Sequence, residues 1–342
     1  MAGKIVEYGR LKDLLDSLVG EGRRVIGPLE EAGFLIFREI KSIDEAKISP
    51  GTRTRFPFKE FLFPKTEKVL RYRMHGIDVD LEDVRPETME LVVFGARPCD
   101  GASLRILDSV FSWDYTDPFY ISRREKIVVI GVSCTEPGPE CFCTSVGLSP
   151  LSGEGSDILL TQVGDGSFLI EVFTERGQEI VKRIEGELIS ADISREEIAR
   201  DVEARMKRNE KLIGREEALA RSFDMMEIWN EYGMRCLQCG ICAFVCPTCH
   251  CFDISEEADI REGERRKNWD SCSFEMFTLH ASGHNPRPTQ AERYRQRVMH
   301  KFWYFPERFG MTMCVGCGRC GLYCPVGIDI YDAVIKATGI GG

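Results

Sequence analysis

Apolar residues recur at helical spacing near the start of the chain. Leu11, Leu14, Leu15 and Leu18 fall on one face of residues 9–20, which predicts an amphipathic helix closed by Gly20. The pattern then shortens to β-type runs at 24–27 and 34–40. Residues 44–65, rich in proline, lysine and phenylalanine, keep no period and read as an irregular surface loop. Two unbroken apolar runs follow, Leu91-Val-Val-Phe94 and Ile127-Val-Val-Ile130, with the character of buried strands. Residues 157–163 and 167–172 read as a hairpin turning at Gly164-Asp-Gly166. Ser194 and Glu197 have the spacing of a capping box that opens a charged helix to about residue 212, and the polar stretch to Arg221 reads as a link. Thr289 and Glu292 form a second such box. Tyr294, Val298, Phe302 and Phe305 then make a helical apolar stripe, and Arg293, Arg297 and Lys301 opposite it read as a solvated face.

These elements predict an α+β protein. An N-terminal α/β domain over residues 1–215 precedes a mainly helical domain over 216–342. The length of 342 residues suits two domains, and 43% hydrophobic residues suit an ordinary core. A net charge of −10 argues against nucleic acid or an anionic membrane as partner. No apolar run approaches the length of a membrane span, and Met1 to Arg10 lack a signal pattern, so a cytoplasmic chain is expected.

Fifteen cysteines change the picture. Eight lie in two runs, Cys236, Cys239, Cys242 and Cys246 before Pro247, and Cys314, Cys317, Cys320 and Cys324 before Pro325. Both read C-x2-C-x2-C-x3-C-P, the run that binds [4Fe-4S] clusters in two-cluster ferredoxins. Three thiolates two residues apart wrap one cubane, and the fourth ligates the other cluster. One cluster is therefore expected on Cys236, Cys239, Cys242 and Cys324, and the other on Cys314, Cys317, Cys320 and Cys246. Gly240, Gly316, Gly318 and Gly321 suit loops that approach inorganic sulfide closely. The 67 residues between the runs are expected to be helical.

A third group follows the two buried strands. Cys99 sits in Gly95-Ala-Arg-Pro-Cys-Asp100, and Cys134, Cys141 and Cys143 share one loop. Open α/β sheets place their sites just past the C-terminal ends of adjacent strands. A third [4Fe-4S] cluster, a zinc site and buried packing are all open, with Asp100 a candidate oxygen ligand. Cys249, Cys251 and Cys272 remain, and read as inert packing thiols. No G-x-G-x-x-G follows a strand and no Walker A motif occurs, so no flavin or nicotinamide site is expected on this chain.

Gly95-Ala-Arg-Pro-Cys-Asp100, Asp117-Pro-Phe-Tyr120, Cys141-Phe-Cys-Thr-Ser145, Cys246-Pro-Thr-Cys249, residues 281–289, Arg295-Gln-Arg-Val-Met-His-Lys-Phe302 and Cys314-Val-Gly-Cys-Gly-Arg-Cys320 carry a resemblance. Over roughly residues 90–335 the chain resembles the iron–sulfur beta subunits of cytosolic sulfhydrogenases and the related iron–sulfur subunits of anaerobic sulfite reductases. The resemblance implies an anaerobic electron-transfer subunit of an oxidoreductase, without catalytic residues of its own. It would stand between an NAD(P)H-linked subunit carrying FAD and a [2Fe-2S] centre and a catalytic subunit of hydrogenase, sulfite reductase or heterodisulfide reductase type. The alternative is a self-sufficient iron–sulfur reductase that binds substrate at the N-terminal cluster, a reading favoured by Asp100 beside Cys99.

Overall fold

The computed structural model describes residues 3–86, 88–164 and 166–340. Its strands are β1 (Gly3–Glu7), β2 (Arg24–Glu31), β3 (Phe34–Glu39), β4 (Thr66–His75), β5 (Asp78–Asp83), β6 (Leu91–Ala96), β7 (Ile127–Val132), β8 (Ile158–Gln162), β9 (Ser167–Val172), β10 (Ile189–Ala191), β11 (Phe252–Ala258) and β12 (Glu262–Trp269). Eight of them form one sheet in the order β10-β1-β9-β8-β7-β6-β2-β3. Its centre, β2-β6-β7-β8, is parallel, and the strands towards both edges run antiparallel.

Every residue of β6 and β7 is buried because both faces of the sheet are covered. Successive side chains of a strand point to opposite faces. Val92 and Phe94 pack with Leu11, Leu14, Leu15 and Leu18 of the helix Tyr8–Gly20. Leu91 and Val93 pack on the other side with Leu104 and Leu107 of the helix Pro98–Phe111. That second core also takes in Phe58, Leu62 and Phe63. The stretch 44–65 is thus no simple surface loop: Phe58 and Phe63 are core residues that the absence of a period concealed. The strands at 157–163 and 167–172 are β8 and β9. Asp165, in their expected turn, lies outside the described residues.

β4, β5, β11 and β12 form a second, antiparallel sheet in the order β11-β12-β4-β5. β4 and β5 turn at Gly76-Ile77, where Gly76 has a φ of 67°. The insert between the cysteine runs therefore opens with a hairpin, against the expectation of helix. Its strands are charged, not apolar, so hydrophobic period could not reveal them. Cross-strand pairs hold them instead, Arg265 with Glu256 at 3.5 Å, Arg266 with Glu257 at 3.2 Å and Lys68 with Glu264 at 2.6 Å. The hairpin also ties residues 252–269 to residues 66–75 of the N-terminal half.

The C-terminal part is helical. Helices Glu216–Ser222, Met226–Arg235, Gln290–Met299 and Ile330–Thr338 enclose Leu219, Trp229, Tyr232, Tyr294, Val298 and Val334. Phe142 and Val146 from the N-terminal half enter the same core. Thr289 and Glu292 make the expected reciprocal capping box, after which the helix passes through a π turn, His300–Tyr304, into Phe305–Phe309. At Ser194 only half of the box forms, with Glu197 N–H donating to the Ser194 hydroxyl, and that helix ends at Ala204. Residues 205–215 pack closely: Leu212 is buried, its N–H donates to the Ser145 carbonyl at 2.9 Å, and Arg208 pairs with Asp329 at 2.6 Å. No helix among the described residues is long and apolar enough to cross a membrane.

Phe94 is fully buried at the centre of the sheet. Phe94→Ala is expected to cost about 3–5 kcal/mol of stability, read as a lowered denaturant midpoint; a loss under 1 kcal/mol would deny this residue its place in the core.

Candidate metal centres

The first cysteine run leaves the helix Met226–Arg235, with Cys236 directly after its last residue. Gln238 and Gly240 adopt left-handed φ values of 57° and 73°, which fold the run back on itself before the short helix Ile241–Phe244. The fold brings Cys324 of the second run to this loop. Cys236, Cys239, Cys242 and Cys324 line one enclosed cavity, with Tyr294 and Arg297 on its wall. Two donors already face its sulfurs: Gln290 Nε2 reaches Cys236 Sγ at 3.0 Å and the Ile328 N–H reaches Cys324 Sγ at 3.2 Å.

Cys246 lies among Cys314, Cys317 and Cys320. Burial pushes the Cys314 thiol up to about 12, with Cys246 adding to the rise and Lys301 opposing it. Burial also raises Cys317 and Cys320, and Cys246 again adds to both. Cys246 itself is held well below the ordinary thiol range by a hydrogen bond from Cys249, then by the charges of Lys301, Arg297 and Lys59. Lys301 Nζ stands 3.4 Å from Cys246 Sγ and Arg297 Nη1 stands 3.4 Å from Cys249 Sγ. These cations correct the expectation of a solvated face. Arg293, Arg297 and Lys301 are 2–4% exposed. The spacing i, i+4, i+8 stacks them on one side of the helix, and the signal was there: three cations along one face, unmatched by acidic residues, in a net-acidic chain.

Lys59, from the supposed loop, is buried as well and donates to the Cys249 carbonyl at 2.7 Å. The described hydrogen-bond partners of Lys59, Arg297 and Lys301 are thiols, hydroxyls and carbonyls, not carboxylates. A buried charge without a counter-charge is costly. Thiolates bound to iron supply that counter-charge, so the donor set and its surroundings fit iron–sulfur clusters. Among the described residues no three His, Cys, Asp or Glu side chains converge on an ion-sized point. A cubane is larger than an ion, and its thiolates stand around a space.

The third group forms at the ends of β6 and β7. Pro98 starts the helix after β6 and sets Cys99 in its first turn, and Cys134 follows β7 in a loop tied down by Cys134 N–H to the Pro150 carbonyl at 2.9 Å. Burial raises the Cys134 and Cys143 thiols, and nearby Cys141 adds to both. Burial also raises Cys99 well above the ordinary thiol range, with contributions from Asp100, Cys317 and Cys141, and Arg319 opposing it. Arg53 Nη1 donates to Cys141 Sγ at 2.9 Å and also binds the Cys317 carbonyl. Arg97 caps the carbonyl of Ser133 at 2.7 Å. The group thus packs directly against the second run.

Asp100 does not face these thiols as an oxygen ligand. Both its carboxylate oxygens accept from Arg319, each at 2.8 Å, in a pair that is 1% and 0% exposed. The glycines of the two runs also have another reason than sulfide contact. The Phe142 N–H donates to the Gly316 carbonyl at 2.8 Å, and a Cβ on Gly316 would meet the Phe142 and Cys143 backbone at 2.5 Å. Gly318 fits against Glu140, Gly321 against Asp329, and Gly240 against Phe274. His300 meets His250 edge-on, 5.7 Å between ring centres, and burial pushes them down to about 3 and about 4, so both stay neutral.

Residues 235–328 match the 4Fe-4S dicluster domain family. The chain is 34% identical over 313 residues to the sulfhydrogenase 2 subunit beta of Pyrococcus furiosus, covering 90% of each chain. It belongs to the sulfhydrogenase beta-subunit family. No solved structure matches it. As a member of that family with a dicluster domain, it is an iron–sulfur electron-transfer subunit of an oxidoreductase, and it works with partner subunits.

Removing one partner of the buried Arg319–Asp100 pair strands the other charge. Arg319→Met is expected to lower stability by about 3–5 kcal/mol, and adding Asp100→Asn to it should recover part of the loss in a double-mutant cycle. Additive losses would show the pair to be uncoupled.

Proposed function

We propose that this subunit passes single electrons along three [4Fe-4S] clusters, between an NAD(P)H-linked flavoprotein subunit with FAD and a [2Fe-2S] centre and a catalytic redox subunit. The first cluster is assigned to Cys236, Cys239, Cys242 and Cys324, and the second to Cys314, Cys317, Cys320 and Cys246. The third is assigned to Cys99, Cys134, Cys141 and Cys143. The observation that carries the reading is the contiguity of the three thiol groups. Cys320, of the second group, also lines the cavity of the first. Cys317 touches the third group, where Cys141 Sγ lies 3.8 Å from its carbonyl.

The clusters supply reversible one-electron chemistry, at potentials that charge and hydrogen bonds to sulfur adjust. The chain's own residues do the rest. Gln290, Ile328 and Arg53 donate to Cys236, Cys324 and Cys141, and Lys301 stands beside Cys246. The crossings at Cys246 and Cys324 tie the first two sites into one covalent unit with a set spacing. The Arg319–Asp100 pair joins the second run to the strand-end helix that carries Cys99. The rival reading, substrate bound at the N-terminal site, rests on Asp100 beside Cys99, and the pairing of Asp100 with Arg319 supports the relay over it. FAD and nicotinamide are assigned to the partner, in keeping with the absence of a Gly-rich strand–helix turn from the sequence.

The test is iron, acid-labile sulfide and zinc per chain on anaerobically purified protein. About 12 iron atoms are expected, four for each site. About 8 with one zinc would make the N-terminal half a scaffold, and about 8 without zinc would leave its four cysteines as packing. Steady reduction of sulfite, polysulfide or a disulfide by the isolated chain would overturn the relay. The crossing has its own check. Cys246→Ser should remove the spectroscopic signal of the site on Cys314, Cys317 and Cys320 and spare that on Cys236, Cys239 and Cys242; the reverse pattern would reverse the assignment.

A further inference from the structure

β5 is the outermost strand of the second sheet, and every one of its residues is exposed. From Asp78 to Glu82 its sequence, Asp-Val-Asp-Leu-Glu, alternates acidic and apolar side chains. Strict alternation is the pattern of a strand that lays one face on a core, yet Val79 and Leu81 are 49% and 69% exposed. Opposite residues of an antiparallel pair share a face. Val79 therefore stands beside Met74 and Leu81 beside Tyr72, and Met74 is exposed as well. At the turn that joins β4 to β5, Ile77 is 97% exposed. Apolar side chains gathered on one side of an open sheet edge mark a surface suited to contact with another chain.

The other face of the same strands defines the kind of contact, because its charges alternate in sign from strand to strand. Glu262 and Glu264 of β12 lie opposite Arg73 and Arg71 of β4, which in turn lie opposite Asp80 and Glu82 of β5. Arg73 meets Glu262 at 3.2 Å, and Arg71 meets Glu82 at 3.6 Å. The series acid, base, acid ends at β5, and a basic strand continues it. A second copy of β5 does not fit. Pairing with itself sets carboxylates beside carboxylates, or turns the apolar side of one copy to the charged side of the other, and both are unfavourable. β11, at the far edge of the sheet, lacks the pattern, since Glu256 stands between Ile254 and Ala258 on its apolar side.

We propose that β5 is a docking edge, to which a partner subunit adds an extended strand of alternating basic and apolar residues. The added strand continues the main-chain ladder along β5. Its basic side chains lie beside Asp80 and Glu82, and its apolar side chains cover Val79 and Leu81. Because β4 pairs with β12, a strand held there is attached at once to the N-terminal half and to the insert between the cysteine runs. The docking edge is independent of how many clusters the chain holds and of which cysteines hold them.

The experiment uses the full chain, purified anaerobically, and three short synthetic peptides of equal length. One alternates lysine and valine, one alternates glutamate and valine, and one is a scramble of the first. Binding is read by fluorescence anisotropy, and amide hydrogen exchange is followed over residues 78–83. The lysine–valine peptide is expected to bind and to slow exchange in that segment. Asp80→Asn combined with Glu82→Gln should weaken this peptide about tenfold, the effect of two lost cross-strand charge pairs, at unchanged iron content. In the native assembly, purified whole, residues 78–83 should exchange more slowly than in the isolated chain. Equal binding of the scramble would overturn the proposal by reducing the attraction to net charge, and equal binding of the glutamate peptide would deny the charge match. Equal exchange in the assembly and the isolated chain would remove β5 from the interface. Protection that grows with the concentration of the isolated chain alone would also overturn the proposal, by making a second copy the occupant.

Discussion

Lys59, Arg297 and Lys301 are buried among sulfur atoms and lack carboxylate partners in the described structure. Charges removed from water are tolerable only when opposite charge stands beside them. Here that charge comes from thiolates, and thiolates stay anionic in such surroundings when metal holds them. Cations and cysteines are therefore mutually dependent. The helix Gln290–Met299 and its π turn keep Arg297 and Lys301 pointed inwards, while Tyr294, Val298 and Phe302 anchor the same helix in the core.

The large sheet serves this arrangement from the other side. Its parallel centre ends two adjacent strands at one edge, and Cys99 and Cys134 follow those ends. Gly316 and Gly318 then let the second run lie directly on the loop Glu140–Cys143, with the Phe142 N–H bonded to the Gly316 carbonyl. Arg53, from the aperiodic stretch before β4, spans Cys141 and the Cys317 carbonyl. Sheet and helical part are joined at the thiol groups themselves, and the second sheet adds a further tie through β4 and β12. An electron path needs short, constant gaps, and a shared core provides them.

Several features were open to reading from sequence because their causes are local. Ligand spacing in the two runs follows from how few residues can wrap a cubane. Leu11 to Leu18 and Tyr294 to Phe305 announced helices by period, and Leu91 to Phe94 announced a strand buried on both faces. The hairpin at 252–269 was hidden because Arg–Glu pairs, not apolar alternation, hold its strands. The stretch 44–65 was hidden because Phe58 and Phe63 enter the core from 3-10 turns and irregular backbone.

The chemistry was therefore legible in the residues alone: which cysteines recur at cluster spacing, which segments are helix or buried strand, and which family the words belong to. What stands beside those cysteines was settled by the fold. It turned Arg297 and Lys301 inwards, tied Asp100 to Arg319 over 219 residues of chain, and paired residues 252–258 with 263–269 in a charged hairpin. Spacing is a property of neighbouring residues, whereas the burial and counter-charge of a side chain depend on what distant segments bring to it.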